Sequence, residues 1–146
     1  MTAVLRELPT IARIVLGLVF LIFGLNGFLQ FLPMPPMPEA VGAYFGALAS
    51  AQVLPLVKAI EVVAGLLLLT GLFVPLALLL LAPIVVDIVL FHAVATGEGL
   101  PMPLVLVALG IYLAWAYRDS FRGVLQARAQ PRVADEPAPA VSRSVA

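Results

Sequence analysis

The chain has 146 residues, of which 63% are hydrophobic and only 11% charged, and its formal net charge is zero. Soluble domains are typically about half apolar and about a quarter charged, so this composition indicates a membrane-embedded protein. A zero net charge gives no overall field that would attract nucleic acid. With no cysteine and one histidine, the chain itself cannot supply a disulfide, a thiolate nucleophile, an iron–sulfur cluster or bis-histidine haem ligation.

Four apolar segments are long enough, at about 17 to 25 residues, to cross a bilayer as helices. In chain order they are residues 11–31, 55–72, 75–95 and 101–117. Proline opens the last three segments, where the first helical turn needs no backbone donor. The first segment has a basic start like a signal peptide, but its apolar run exceeds the usual length of about 7 to 15 residues. We therefore expect it to be retained as a span.

The connections between these segments are short, except for the one after the first segment. There "PMPPMP" cannot form a regular helix, because proline removes backbone donors. The "EAVGAYFGALASAQ" that follows can form a short helix lying in the membrane interface. Residues 126–146 are polar and predict a disordered cytoplasmic tail. The sequence thus predicts an all-α, integral membrane four-helix bundle over residues 1–125, followed by this tail.

Basic residues near the span ends predict the orientation, because cytoplasmic loops are enriched in lysine and arginine. Those basic residues are Arg6, Arg13, Arg118, Arg122, Arg128 and Arg132. They flank the first and last spans, whereas the two opposite loops carry Glu39 and Glu98 and no basic residue. Both termini are therefore predicted to be cytoplasmic.

Polar side chains recur at one depth in three of the spans. A helical rise of 1.5 Å per residue puts Asn26, Glu61 and Asp87 about 8 to 12 Å below the outer surface. Lys58 lies three residues before Glu61 and so shares its face. A charged group at the bilayer centre costs about 2.5–3.5 kcal/mol and usually faces the bundle interior. We therefore expect these four residues to form one buried polar layer, and they are the candidates for ligand or proton binding.

The charges in this layer do not balance. Lys58 can pair with Glu61 on its own helix or with Asp87 on the next, and either choice leaves one carboxylate over. A proton on Asp87 or Glu61, a bound cation or a protonated His92 would relieve the excess. Pro83, one turn before Asp87, is expected to bend the third span. The structural alternatives are a local Lys58–Glu61 ion pair and a purely structural hydrogen bond for Asp87.

Two further polar residues are expected at the rim of the layer. His92 is five residues beyond Asp87, about 140° around the helix, and close to the outer boundary. Gln30 is one turn beyond Asn26, and both are expected to form interhelical hydrogen bonds or ligand contacts.

Small residues in the first, second and fourth spans predict close helix packing, since lipid provides no hydrophobic force between helices. They are Gly17, Gly24, Gly27, Ala64, Gly65, Gly110 and Ala114.

Three stretches carry a family resemblance. "ARIVLGLVFLIFGLNGFLQFLPMPPMP", "IEVVAGLLLLTGLFVPLALLLLAPIVVDIVLFHAV" and "YLAWAYRDSF" resemble the DoxX family of small bacterial membrane proteins. The resemblance implies a four-helix bundle in the bacterial plasma (inner) membrane. It also implies an association with redox partners, because the family is named after proteins that accompany a thiosulfate:quinone oxidoreductase. Relatives are expected to carry lysine at the position of Gly27 and asparagine at that of Asp87.

These observations favour an accessory or small-ligand-binding subunit of a membrane redox system, with a quinone as the candidate ligand. A small proton-linked transporter and a structural or assembly protein without a ligand remain alternatives. The sequence contains no nucleophile–base pair and no metal-ligand spacing, so no catalytic or metal-binding residues and no built-in cofactor are predicted, and an autonomous enzyme is the least expected class. The expected partners are the lipid bilayer, redox proteins and further copies of the chain, but not nucleic acid.

Overall fold

A computed structural model describes residues 2–33, 39–96 and 99–126 of the chain. Most of the "PMPPMP" segment, Glu98 and nearly all of the predicted tail lie outside the described residues.

The described residues form helices and turns and no strand, which confirms the all-α prediction. The α-helices are α1 (Thr2–Leu29), α2 (Glu39–Ser50), α3 (Val53–Thr70), α4 (Val74–Leu90) and α5 (Pro101–Ala116). A π-helical turn, Phe91–Thr96, continues α4, and a 3₁₀ turn, Arg118–Phe121, follows α5. The helix α1 begins well before residue 11 and includes Pro9.

Three helices are long and apolar enough to cross a bilayer. These stretches are Glu7–Leu29, Val53–Thr70 and Val74–Val94. The helix α5 is equally apolar in character but has 16 residues, slightly fewer than a full crossing usually needs. The protein is thus a membrane helical bundle, and a complete fourth crossing by α5 stays a prediction, as does the orientation of the termini.

The helices pack in the order α1–α3–α4–α5, and α5 closes the bundle against α1. The short α2 leans on α3 from outside this ring. The core is built of aliphatic and aromatic side chains from all four long helices. Its members include Leu16, Phe20, Leu68, Leu81, Leu106 and Leu113. Two ends of the bundle can be distinguished: the Arg13 end, where α3 finishes at Gly71, and the Lys58 end, where α3 begins.

The contact between α1 and α3, which we call the α1–α3 seam, is the closest in the bundle because glycines line it. A Cβ added to Gly65 would lie 2.7 Å from the Leu21 backbone nitrogen and 2.9 Å from the Gly17 carbonyl oxygen. One added to Gly24 would lie 2.9 Å from the Val62 backbone nitrogen. The small-residue prediction is therefore confirmed for this seam.

The same prediction is wrong for α5. Nothing lies within 4 Å of a Cβ built on Gly110, and Ala114 is exposed. The buried side of α5 is set by Pro103, Leu106 and Leu113 instead. Gly110 is four residues from Leu106 and three from Leu113 and so shares their face, but no neighbouring helix comes close to it there, and Ala114 lies on the exposed side.

Arg13 fastens α1 to the far end of α3. Its Nη1 donates to the Leu68 carbonyl oxygen at 2.7 Å and lies 3.5 Å from that of Leu69. The last carbonyls of a helix lack intrahelical donors, and a cation there also favours the helix dipole. Gly71 completes this cap in the left-handed conformation, with φ 76° and its N–H bonded to the Leu67 carbonyl.

Replacing Arg13 with methionine is expected to lower the free energy of unfolding by about 2 kcal/mol, since hydrogen bonds to a charged group contribute about 1.5–3 kcal/mol. Thermal unfolding in detergent micelles, followed by circular dichroism, measures this. The matched control is Arg122→Met, because the side chain of Arg122 is 81% exposed and paired only with Asp119. Equal effects of the two substitutions would contradict the capping role.

Candidate functional site

The structure pairs Lys58 with Glu61 rather than with Asp87. The Lys58 Nζ donates to both carboxylate oxygens of Glu61, at 2.9 and 2.8 Å. The Glu61 side chain is 3% exposed, whereas that of Lys58 is 23% exposed. The Glu61 carboxylate is therefore buried inside the bundle, and the Lys58 ammonium lies between it and the edge of the α1–α3 seam.

Gly27 gives Lys58 its path along the seam. The Cγ and Cδ atoms of Lys58 occupy the space into which a side chain at position 27 would project. Gly24, one turn deeper, does the same for Glu61, whose Cβ would be 3.0 Å from an added Cβ. The glycines of α1 thus let the α3 ion pair lie against the backbone of α1, and any side chain at position 27 would displace the lysine stem.

Asn26 is buried at this end of the seam, but it does not bond to another helix. Its Oδ1 accepts a hydrogen bond from the Leu32 backbone N–H at 2.7 Å. Gln30, the first residue after α1, is exposed and has a left-handed backbone conformation with φ 49°. The expected interhelical role of Asn26 is therefore replaced by a local one, in which its side chain folds the chain back after α1.

Asp87 lies on the exposed face of α4, away from Glu61. The prediction of one shared interior layer is thus wrong for this residue. The buried stripe of α4 runs through Leu81 and Ile84, with Ile88 packed against the core. Asp87 is one residue, or about 100°, away from Ile88, which turns it outward together with Pro83. No other described residue forms a hydrogen bond or an ion pair with the Asp87 carboxylate.

His92 sits in the π-helical turn that extends α4. Its Nδ1 lies 2.9 Å from the Ile88 carbonyl oxygen, and a carbonyl only accepts, so Nδ1 carries the hydrogen. The ring also packs edge-on against Phe91, which in turn meets Phe45 of α2 at 5.2 Å between ring centroids. The wider π turn therefore anchors α2 to the end of α4, with His92 beside the loop at Gly99.

The family comparison agrees with this bundle. The DoxX family profile matches residues 8–93, more than half of the chain. The chain belongs to the DoxX family. Comparison with curated proteins and with solved structures finds no match.

The DoxX match contains every residue of the candidate site. It covers α1 from Leu8 onward, then α2, α3 and α4, and ends at Ala93, one residue after His92, so α5 lies beyond it. Position 27 is glycine in this chain, and the Lys58 stem fills the space of its side chain from α3. A cation therefore lies at this point of the seam although residue 27 is glycine.

Sequence reasoning missed one structural residue of this DoxX protein. Arg13 was interpreted only as an orientation signal, although it also caps α3. A basic residue near the start of one span, opposite the end of an antiparallel neighbour, is the pattern that could have indicated the cap. Among the described residues, no three His, Asp or Glu side chains cluster in a way that could hold a metal ion.

Proposed function

We propose that this DoxX-family protein is an accessory subunit of a membrane redox system and binds a small quinone-like ligand at Lys58. The proposal rests on the unequal exposure of the two side chains in the Lys58–Glu61 pair. Glu61 is sealed inside the bundle, while Lys58 stays 23% exposed at the edge of the seam. The ion pair therefore presents a fixed cation to the surroundings of the bundle.

The chemistry of this cation fits a carbonyl oxygen. An ammonium has three N–H donors and no acceptor. Two of the three point at the oxygens of Glu61, which leaves one for an acceptor outside the chain. A quinone offers carbonyl oxygens on an apolar ring, and exposed aromatic side chains at this end of the bundle, Phe23 of α1 and Phe31 just after it, suit such a ring.

The position along the helix also fits a membrane-soluble ligand. Lys58 is five residues from the start of α3, about 8 Å along the helix axis. A ligand that diffuses in the bilayer can reach that depth laterally, without an enclosed cavity. Neither side chain of the ion pair is redox-active. The protein would therefore hold the quinone for a separate redox partner protein.

The test uses the only lysine of the chain. Protein labelled with ¹⁵N at lysine side chains gives a single Nζ signal, which can be followed in lipid nanodiscs while a short-chain benzoquinone is added. The signal is expected to shift with a saturable dependence on quinone concentration. The double variant Lys58→Met/Glu61→Leu removes the ammonium without leaving a buried charge, and should bind the quinone at least tenfold more weakly by equilibrium dialysis.

Gly110→Ala is the matched control, because it changes an open position outside the seam and should keep the affinity of the unmodified protein. An Nζ signal that does not respond, or a double variant that binds the quinone equally well, would contradict the proposal. In that case the pair serves only as a local ion pair within α3 that packs against the glycines of α1.

A further inference from the structure

Asp87 presents a charge problem that the Lys58 site does not solve. It lies seven residues before Val94, the end of the apolar stretch, so it is about 10 Å inside along the helix axis. Helical side chains lean toward the N-terminus, which for α4 is away from the nearer surface. Aspartate is also too short to bring its carboxylate back to that surface, as a lysine or arginine could.

Among the described residues, no lysine or arginine pairs with this carboxylate. The only lysine has both of its close contacts with the buried Glu61. The sequence between α1 and α2 and between the π turn and α5, residues 30–38 and 97–100, contains no lysine or arginine. The arginines among the described residues lie in the first half of α1 or follow α5, and so belong to the opposite end of the bundle.

A second copy of the chain does not supply the missing charge either. Each copy carries a neutral Lys58–Glu61 pair and one Asp87 at this end. Any number of copies therefore retains one uncompensated carboxylate each. When Asp87 is ionised, the compensating charge therefore comes from another molecule that carries its own positive charge.

The surface around Asp87 has the shape of a helix-packing seam. Four large apolar side chains with 44–58% exposure follow one another along α4 at spacings of three, seven and four residues, with Pro83 inside the seven-residue gap. They are Leu76, Leu79, Val86 and Leu90, and we call this surface the α4 stripe. This is the 3.5-residue repeat of two helices packed side by side, with Asp87 at the flanking position where charges select the partner.

We propose that the α4 stripe docks a transmembrane helix of a partner protein that carries one lysine or arginine facing Asp87. Lipid alone satisfies the leucines and the valine but leaves the carboxylate without a counter-charge. A long, flat stripe suits a helix better than a small ligand, which usually needs a concave pocket. The inference rests on the accessory role proposed above and gives the chemistry of its partner.

The experiment uses a synthetic helix as the partner. A 21-residue leucine–alanine peptide is made with one lysine about 10 Å from one end, and a second peptide has leucine there. The absence of cysteine allows a donor dye at a single introduced site, Ser120→Cys, with an acceptor dye on the peptide. Energy transfer in phosphatidylcholine vesicles then measures association with the full chain, with Asp87→Asn, and with the control Asp119→Asn.

The lysine peptide is expected to associate at least tenfold more tightly than the leucine peptide. Asp87→Asn should abolish this preference, and Asp119→Asn, which changes an exposed residue of the 3₁₀ turn, should keep it. Failure of the lysine peptide to associate, or equal association with Asp87→Asn, overturns the proposal. So does Asp87-dependent association between copies of the chain, which would make a second copy the occupant. The quinone titration at Lys58 does not involve this surface, so the two proposals can fail separately.

Discussion

Gly65→Ala is expected to destabilise the bundle by about 1–3 kcal/mol, the usual cost of forcing extra atoms into a well-packed core. The added Cβ would lie 2.7 Å from the Leu21 backbone nitrogen and 2.9 Å from the Gly17 carbonyl oxygen. Backbone atoms cannot rotate away as a flexible side chain can, so α1 and α3 must separate. Unfolding by a denaturing detergent, followed by circular dichroism, gives the change in the free energy of unfolding.

Gly110→Ala is the matched control for this substitution. The two changes are chemically identical and both lie in helices, but nothing lies within 4 Å of the Cβ at position 110. Alanine there should leave the stability unchanged or raise it by up to about 1 kcal/mol, since glycine is the poorer helix former. If Gly65→Ala proved as harmless as Gly110→Ala, the α1–α3 seam would not be the close contact described above.

Lys58→Met is expected to have the largest effect, a loss of about 3–5 kcal/mol, because it leaves a buried carboxylate without its counter-charge. The Glu61 side chain is 3% exposed and has no other partner among the described residues. The double variant Lys58→Met/Glu61→Leu should recover most of the loss, since an apolar pair of similar size needs no counter-charge. Detergent unfolding of both single variants and the double variant gives the coupling energy.

The ion pair between Arg122 and Asp119 is the control for this cycle. It has the same three-residue spacing and the same 2.8 Å separation, but its side chains are 81% and 69% exposed. Its coupling energy should be close to zero, because solvent screens exposed pairs. A double variant of Lys58 and Glu61 that is as unstable as Lys58→Met alone would show that the pair is not a self-contained unit.

The sequence predicts the bundle well because long apolar runs must form helices in a bilayer. The predicted spans 55–72 and 101–117 differ from α3 and α5 by at most two residues at either end. The Lys58–Glu61 pair was also accessible, since three residues on one helix fix a shared face. Local spacing therefore carries information on contacts within a helix.

The rotation of each helix about its own axis was much harder to predict. Asp87 and Ile88 differ by one position, yet one packs on the core and the other is exposed. Hydrophobic periodicity normally fixes this rotation, but α4 is apolar on every side except at Asp87, and α5 has no charged residue on any side. The lipid-facing and core-facing sides then look alike in the sequence, and only packing against the neighbouring helices distinguishes them.

Lys58 pairs with Glu61 and not with Asp87, and one measurement tests this pairing directly. Because the chain has one lysine, solid-state NMR can measure the dipolar coupling of its ¹⁵Nζ to carboxyl carbons in two samples, one ¹³C-labelled at glutamate and one at aspartate. We expect strong dephasing in the glutamate sample, where Nζ lies 2.8–2.9 Å from the carboxylate oxygens, and none in the aspartate sample. Dephasing in the aspartate sample instead would show that Lys58 pairs with Asp87. That result would contradict both the ion pair described at the α1–α3 seam and the unpaired Asp87 beside the α4 stripe.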